Sequence, residues 1–265
     1  MTAAGDSSGV TPIVLVHAFG SSRRAWATQL EGLSDRHRVV AQDLPGHGQA
    51  QGRFTLDRAV ESVRHAIDET GGKAHMVGIS GGAVVALLVY LGHPAQVTSL
   101  ILSAGLAHPP RWFALQRAVG RITPEPLLAR LLVGMYSGGR AEHVEVAAED
   151  FRRCGKSSYL AGLREISRID LRPRLREVRV PTLVLCGSKD RANIPLTREL
   201  AGGIPGVSLI FRRPPALPTQ RASAGRRRSL PCPGCGGSAG ALCQCPHDTL
   251  RPLTGVRRAA EPGVE

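Results

Sequence analysis

Lysine is scarce in this chain: three residues, against 31 arginines, make up its 34 basic side chains. That bias points to GC-rich coding DNA. Long apolar runs are missing too. None approaches the roughly 20 residues needed to span a bilayer. The first 11 residues lack the apolar stretch of a secretory signal. These absences predict a soluble, cytoplasmic protein that does not enter membranes. Internal repeats are absent. Of six cysteines, only Cys154 and Cys186 fall before residue 212. They are isolated, so no disulfide framework is implied. Beyond Phe211 the chain has no Phe, Ile, Met, Trp or Tyr.

What is present is a rhythm of short β-rich runs separated by helical patterns. Pro12 to His17, Arg38 to Asp43, Ala74 to Val77, Val97 to Leu102, Pro181 to Cys186 and Gly206 to Phe211 read as six strands. Strands alternating with helices predict a doubly wound, mostly parallel α/β sheet. In such sheets ligands bind at the carboxyl ends of the strands. His17, Ser80 and Asp190 all follow strand ends. A body of about 200 residues suits one globular unit.

The most informative stretch is Gly78-Ile79-Ser80-Gly81-Gly82. A Gly-x-Ser-x-Gly turn between a strand and a helix lifts its serine clear of the backbone, ready to act as a nucleophile. A tight turn holding an incidental serine is the plainer reading, and the strand–turn–helix context argues against it. Asp190 has a plain reading as a helix cap or turn residue. Its place at a strand end, after Ser80 in the chain, favours orienting a catalytic base. The alternative acid position, Ser103-Ala104-Gly105, has no carboxylate. His47 reads as a surface or loop-packing residue.

These motifs together resemble the α/β-hydrolase superfamily, from about Thr11 to Phe211. His17-Ala18-Phe19-Gly20 resembles the family's oxyanion loop, with Ala18 in place of the usual glycine. Asp43-Leu44-Pro45-Gly46-His47-Gly48 is similar to its Asp-x-x-Gly-x-Gly turn. The resemblance implies Ser80 as nucleophile, Asp190 as triad acid, and the backbone N–H groups of Phe19 and Gly81 as the oxyanion hole. It gives His17 a structural role. It implies no cofactor and no metal. A serine nucleophile disfavours the family's haloalkane dehalogenases and epoxide hydrolases. Family members usually begin with a β-hairpin, and Met1 to Thr11 is expected to be too short and polar to supply it.

From about residue 106 to 179 the rhythm breaks. Trp112, Phe113, Leu115, Leu127, Leu128, Leu131, Leu132, Met135 and Tyr136 recur at helical spacings. The segment resembles the family's helical cap, inserted after the fourth strand read here. Most of its apolar residues are expected to pack helix on helix, with one or two facing a pocket. Glu142 to Asp150, with Arg152 and Arg153, reads as a solvated helix face.

The expected departure lies at the C-terminus. The family delivers its histidine base in a Pro-Gly-x-x-His-type turn just after the last strand. Here Arg212 to Gln220 holds no histidine. Residues 212–265 contain nine Arg, eight Pro and seven Gly. Such a composition buries too little apolar surface to offset its ordering entropy. The expected organisation is a hydrolase domain over 1–211 and an unstructured tail over 212–265. The tail has the composition of GC-rich codons read out of frame. Pro214 to Thr219 can be written in synonymous codons that, read two bases later, encode Pro-Gly-Ala-Pro-His. Cys232, Cys235, Cys243, Cys245 and His247 have half-ribbon zinc spacing. Arg226 to Arg228 reads as a solvated basic stretch without a folded nucleic-acid reader, so no nucleic-acid partner is expected.

The sequence therefore predicts a serine hydrolase scaffold for a small carboxylic ester, thioester or lactone, impaired by loss of its histidine. His247 could serve only by folding back. The alternatives are a non-catalytic ligand-binding relative, or a zinc-binding tail on a hydrolase scaffold. Esterase, lactonase, carbon–carbon-bond hydrolase and cofactor-free haloperoxidase share these motifs. Oligomeric state stays open.

Overall fold

A computed structural model describes residues 2–4, 10–136 and 141–212. Its elements in chain order are β1 (Thr2–Ala4), β2 (Ile13–Val16), α1 (Ala27–Leu33), β3 (Val39–Gln42), α2 (Leu56–Asp68), β4 (Ala74–Ile79), α3 (Gly81–Gly92) and β5 (Val97–Ser103). There follow α4 (Trp112–Ile122), α5 (Glu125–Tyr136), α6 (Ala141–Ile166), β6 (Thr182–Gly187), α7 (Ile194–Gly203) and β7 (Ser208–Arg212). The six strands read from sequence are β2 to β7.

The strand order is β1-β3-β2-β4-β5-β6-β7. From β3 across to β7 every neighbouring pair is parallel. Parallel strands need crossover helices, and these cover both faces of the sheet. That explains why β3 is buried at all four positions and why α3 is apolar on every side. Helix α2, by contrast, buries only one stripe: Leu56, Ala59, Val63, Ala66 and Ile67. Its start is capped by the Thr55 hydroxyl, which accepts the Arg58 N–H at 3.2 Å.

Three features go beyond the sequence reading. The first is β1, a single strand that pairs antiparallel with β3 (Thr2↔Ala41) inside the segment expected to be too short and polar for the family's β-hairpin. A three-residue edge strand is held by backbone hydrogen bonds, which leave no side-chain pattern to read. The second is the cap. Helices α4 to α6 do interrupt the alternation between β5 and β6, and Leu128 and Leu132 are buried as expected. However, Trp112, Leu115, Val119 and Ile122 form one exposed stripe on α4, with Ile122 83% exposed. Leu127 and Leu131 of α5 are also exposed. Helical spacing identified a face, not whether anything covers it. The third is Gly155, whose φ of 69° and ψ of 159° break α6 into two helical stretches.

Among the described residues no helix is long and apolar enough to cross a membrane. Cys154 and Cys186 are buried free thiols. The expectations for the tail, including the cysteine cluster, His247 and Arg226 to Arg228, lie outside the described residues.

Candidate active site

Ser80 sits between β4 and α3 with φ 53° and ψ −118°, a conformation that costs a non-glycine residue steric strain. The surroundings hold it there. The Ser80 N–H donates to the Ser103 carbonyl at the end of β5 (2.8 Å), and the Ala83 N–H donates to the Ser80 carbonyl (3.0 Å). The flanking glycines allow the turn to close. A Cβ on Gly78 would strike the Gly82 and Ala83 backbone, and one on Gly82 would strike the Val16 and His17 carbonyls. The outcome is an exposed serine at the carboxyl end of a buried strand. Among the described residues no hydrogen bond reaches its hydroxyl. Gly81 opens α3, so its N–H belongs to the first-turn donors that have no partner within the helix.

Phe19, in the loop after β2, is 4% exposed. Its ring lies between the two glycines Gly81 and Gly162, and a Cβ on Gly81 would come within 2.7 Å of it. The ring meets Phe54 edge-on, with centroids 4.7 Å apart, and His47 packs tilted against Phe19 and edge-on to Phe54. The Phe19 loop is thus clamped between the elbow and the cap.

His17 is fully buried. Its Nε2 accepts the Leu44 N–H at 3.0 Å, which leaves Nδ1–H to donate to the Ala18 carbonyl at 2.8 Å. Burial, and then the neighbouring His47, pull its pKa down to about 4. It is a neutral ring tying the β2 and β3 loops together, the structural role the resemblance implied. His47 is also fully buried and has its pKa lowered by burial, so it is a loop-packing residue. Asp43 explains its turn: its carboxylate accepts the Arg23 N–H (2.8 Å) and the Gln49 N–H (2.9 Å).

Asp190 follows β6 in a turn closed by its N–H on the Gly187 carbonyl (3.0 Å). Its carboxylate accepts from the Asn193 N–H (3.3 Å) and from Asn193 Nδ2 (2.8 Å). The turn reading is therefore realised, and it holds the carboxylate in one orientation. β5 alone separates β4 from β6. Two strand spacings put the Ser80 and Asp190 strands about 10 Å apart. An imidazole with a hydrogen bond at each nitrogen could bridge side chains across such a gap. No histidine among the described residues hydrogen-bonds either side chain. His247 lies outside them.

Sequence reasoning missed Asp150. Its charged neighbours in sequence predict a solvated face, yet it is 1% exposed. It accepts the Ser22 hydroxyl at 2.7 Å and the Ser21 hydroxyl at 3.5 Å, with Arg24 at 3.6 Å. Burial pushes its pKa up despite those partners. Asp150 fastens α6 to the loop that follows Phe19. The signal lay at i+4, where Cys154 is buried on the same face. The solvated reading does hold for Glu149, which pairs with Arg152 and Arg153.

Known proteins share this architecture. The model of a family described as the alpha/beta hydrolase family matches residues 13–236. A pimeloyl-[acyl-carrier protein] methyl ester esterase from Methylococcus capsulatus is 30% identical over 203 residues, covering 70% of this chain and 79% of that protein. Among solved structures, a hydrolase from Pseudomonas aeruginosa PA01 and an enol-lactonase from Burkholderia xenovorans LB400 each match with a TM-score of 0.71 at 24% identity. Each covers 80% of this chain, and 84% and 86% of the respective structures.

Proposed function

Since the chain belongs to the alpha/beta hydrolase family and its scaffold is that of an esterase- or lactonase-like hydrolase, we propose that it acts on a small carboxylic ester, thioester or lactone through an acyl-enzyme on Ser80. The observation that carries this reading is the strained, exposed Ser80 at the β4–α3 turn. In the proposed reaction Ser80 Oγ adds to the carbonyl carbon and gives up its proton to a base. The Phe19 and Gly81 N–H groups hold the resulting oxyanion. The alcohol leaves with that proton, and water then releases the acid. Asp190 orients the base. The methyl ester named for the Methylococcus capsulatus relative falls within this substrate class. A cytoplasmic site of action belongs to the proposal and fits two unpaired thiols.

The base is the weak point. Ser80 and Asp190 have no histidine partner among the described residues, and the family's position for it follows β7. We therefore expect this polypeptide to turn over p-nitrophenyl esters hardly at all. Loss of a triad member leaves only residual catalysis from binding and the oxyanion hole. The test is a matched pair: this chain, and one re-encoded in the alternative frame after codon 213. Esterase activity that rises in the second and vanishes on Ser80→Ala supports the reading. Ordinary turnover by the first sinks the impairment.

The same missing partner favours a second reading, a ligand-binding relative without turnover. It predicts that ester-like ligands bind without covalent labelling of Ser80 in either chain.

A further inference from the structure

Helices α4 and α6 and the loop before α2 enclose a cleft of about 960 Å³. Five arginines line it: Arg53, Arg117, Arg121, Arg164 and Arg168. The hydroxyl residues Ser157, Ser158 and Ser167 stand among them, and no carboxylate lines the cleft. Ser80 does not line it either. Phe54 forms part of the wall, so the cleft lies behind the Phe19–Phe54 pair.

Five like charges in one cleft repel one another unless something neutralises them. The described residues do little of this. Arg117 donates to the Ser167 hydroxyl at 2.8 Å, a neutral partner. Arg164 reaches a carboxylate only at 3.7 Å, that of Glu165. Among the described residues no ion pair is formed by Arg53, Arg121 or Arg168. Arg164 also has its Nε buried with no hydrogen-bond partner.

We propose that this cleft binds the phosphate group of an organic phosphate ester. Guanidinium forks match phosphate oxygens in pairs, and serine hydroxyls complete the remaining lone pairs. The cleft is much larger than a lone phosphate ion, so it has room for the organic part. The site is independent of Ser80 chemistry and would persist if the hydrolase reading failed.

Calorimetric titration of the full chain with glycerol phosphate and with inorganic phosphate, at matched ionic strength in chloride, tests this. Saturable binding of glycerol phosphate at millimolar concentration or below, tighter than inorganic phosphate, is expected. Arg117→Ala with Arg164→Ala should abolish it, at the cost of the Arg117–Ser167 bond between α4 and the end of α6. The exposed pair Arg121→Glu and Arg168→Glu should weaken it at least tenfold without that loss. Arg36 is an exposed arginine after α1 that does not line the cleft, so Arg36→Glu, like Ser80→Ala, should leave binding unchanged. Equal affinity for the two probes would reassign the site to free phosphate and overturn the ester. Absence of saturable binding, or equal weakening by Arg36→Glu, would overturn the site.

Discussion

Beside Ser80 the packing has no room for one more methyl group, whereas along β7 Leu209 is 36% and Ile210 46% exposed. Both regions lie on the same parallel sheet. On the β2–β4 side, the elbow glycines touch the neighbouring backbone, Phe19 is wedged between two helices, and two buried histidines join the loops. On the β6–β7 side, Asp190 is held by Asn193 and the last strand is thinly covered. The position of Ser80 is thus set by close local packing. The proposed reaction also needs a base, and the described residues, which end at Arg212, place none beside Ser80 and Asp190.

The largest test of this contrast concerns activity. Re-encoding the tail so that a histidine follows β7 should raise ester turnover about 1,000-fold or more, read as kcat on p-nitrophenyl acetate. A rise of less than tenfold would mean that the elbow side is not a waiting nucleophile.

Next comes one substitution made on both sides. Gly82→Ala should cost about 3 kcal/mol in urea unfolding, because its Cβ meets the Val16 and His17 carbonyls. Gly202→Ala in α7 meets nothing within 4 Å, and should instead add up to about 1 kcal/mol through helix propensity. Equal effects would erase the contrast.

The third test uses acid. His17 titrates at about 4 in the folded protein but near 6.5 when unfolded. Between those values the unfolded chain binds the extra proton, so stability is full above pH 6.5 and falls as pH drops. The loss reaches about 2 kcal/mol by pH 5, and His47, lowered by burial, adds to it. Thermal melts from pH 7 to 5 should show the decline, and His17→Asn should flatten it. An unchanged slope in that variant would remove His17 from the elbow-side framework.

The same contrast governs what could be read from sequence. The six parallel strands and the elbow were legible because buried strands and close-packed glycines leave strong local patterns. Strand β1 was not, since backbone pairing at an edge needs no side-chain code. Asp150 was hidden among charged neighbours, where only its spacing to Cys154 marked it as buried. Exposed Leu115 and Ile122 carried a core-like period because amphipathic spacing names a face without naming its cover. The arginine cleft was invisible because its residues come from separate segments that meet only in the fold.

The smallest expected effect bears most directly on β7. Ile210→Ala removes three carbons from a side that is already half exposed, and should cost under about 0.5 kcal/mol. Val16→Ala, at a fully buried position of β2, should cost about 2 kcal/mol from lost burial and a residual cavity. Because both are strand residues, β-propensity changes in the same direction and the difference isolates packing. Urea midpoints for the two variants decide it. If Ile210→Ala costs as much as Val16→Ala, something covers β7 in solution, either a second copy of the chain or residues beyond Arg212. Dilution separates these, since only the first cover weakens with falling protein concentration.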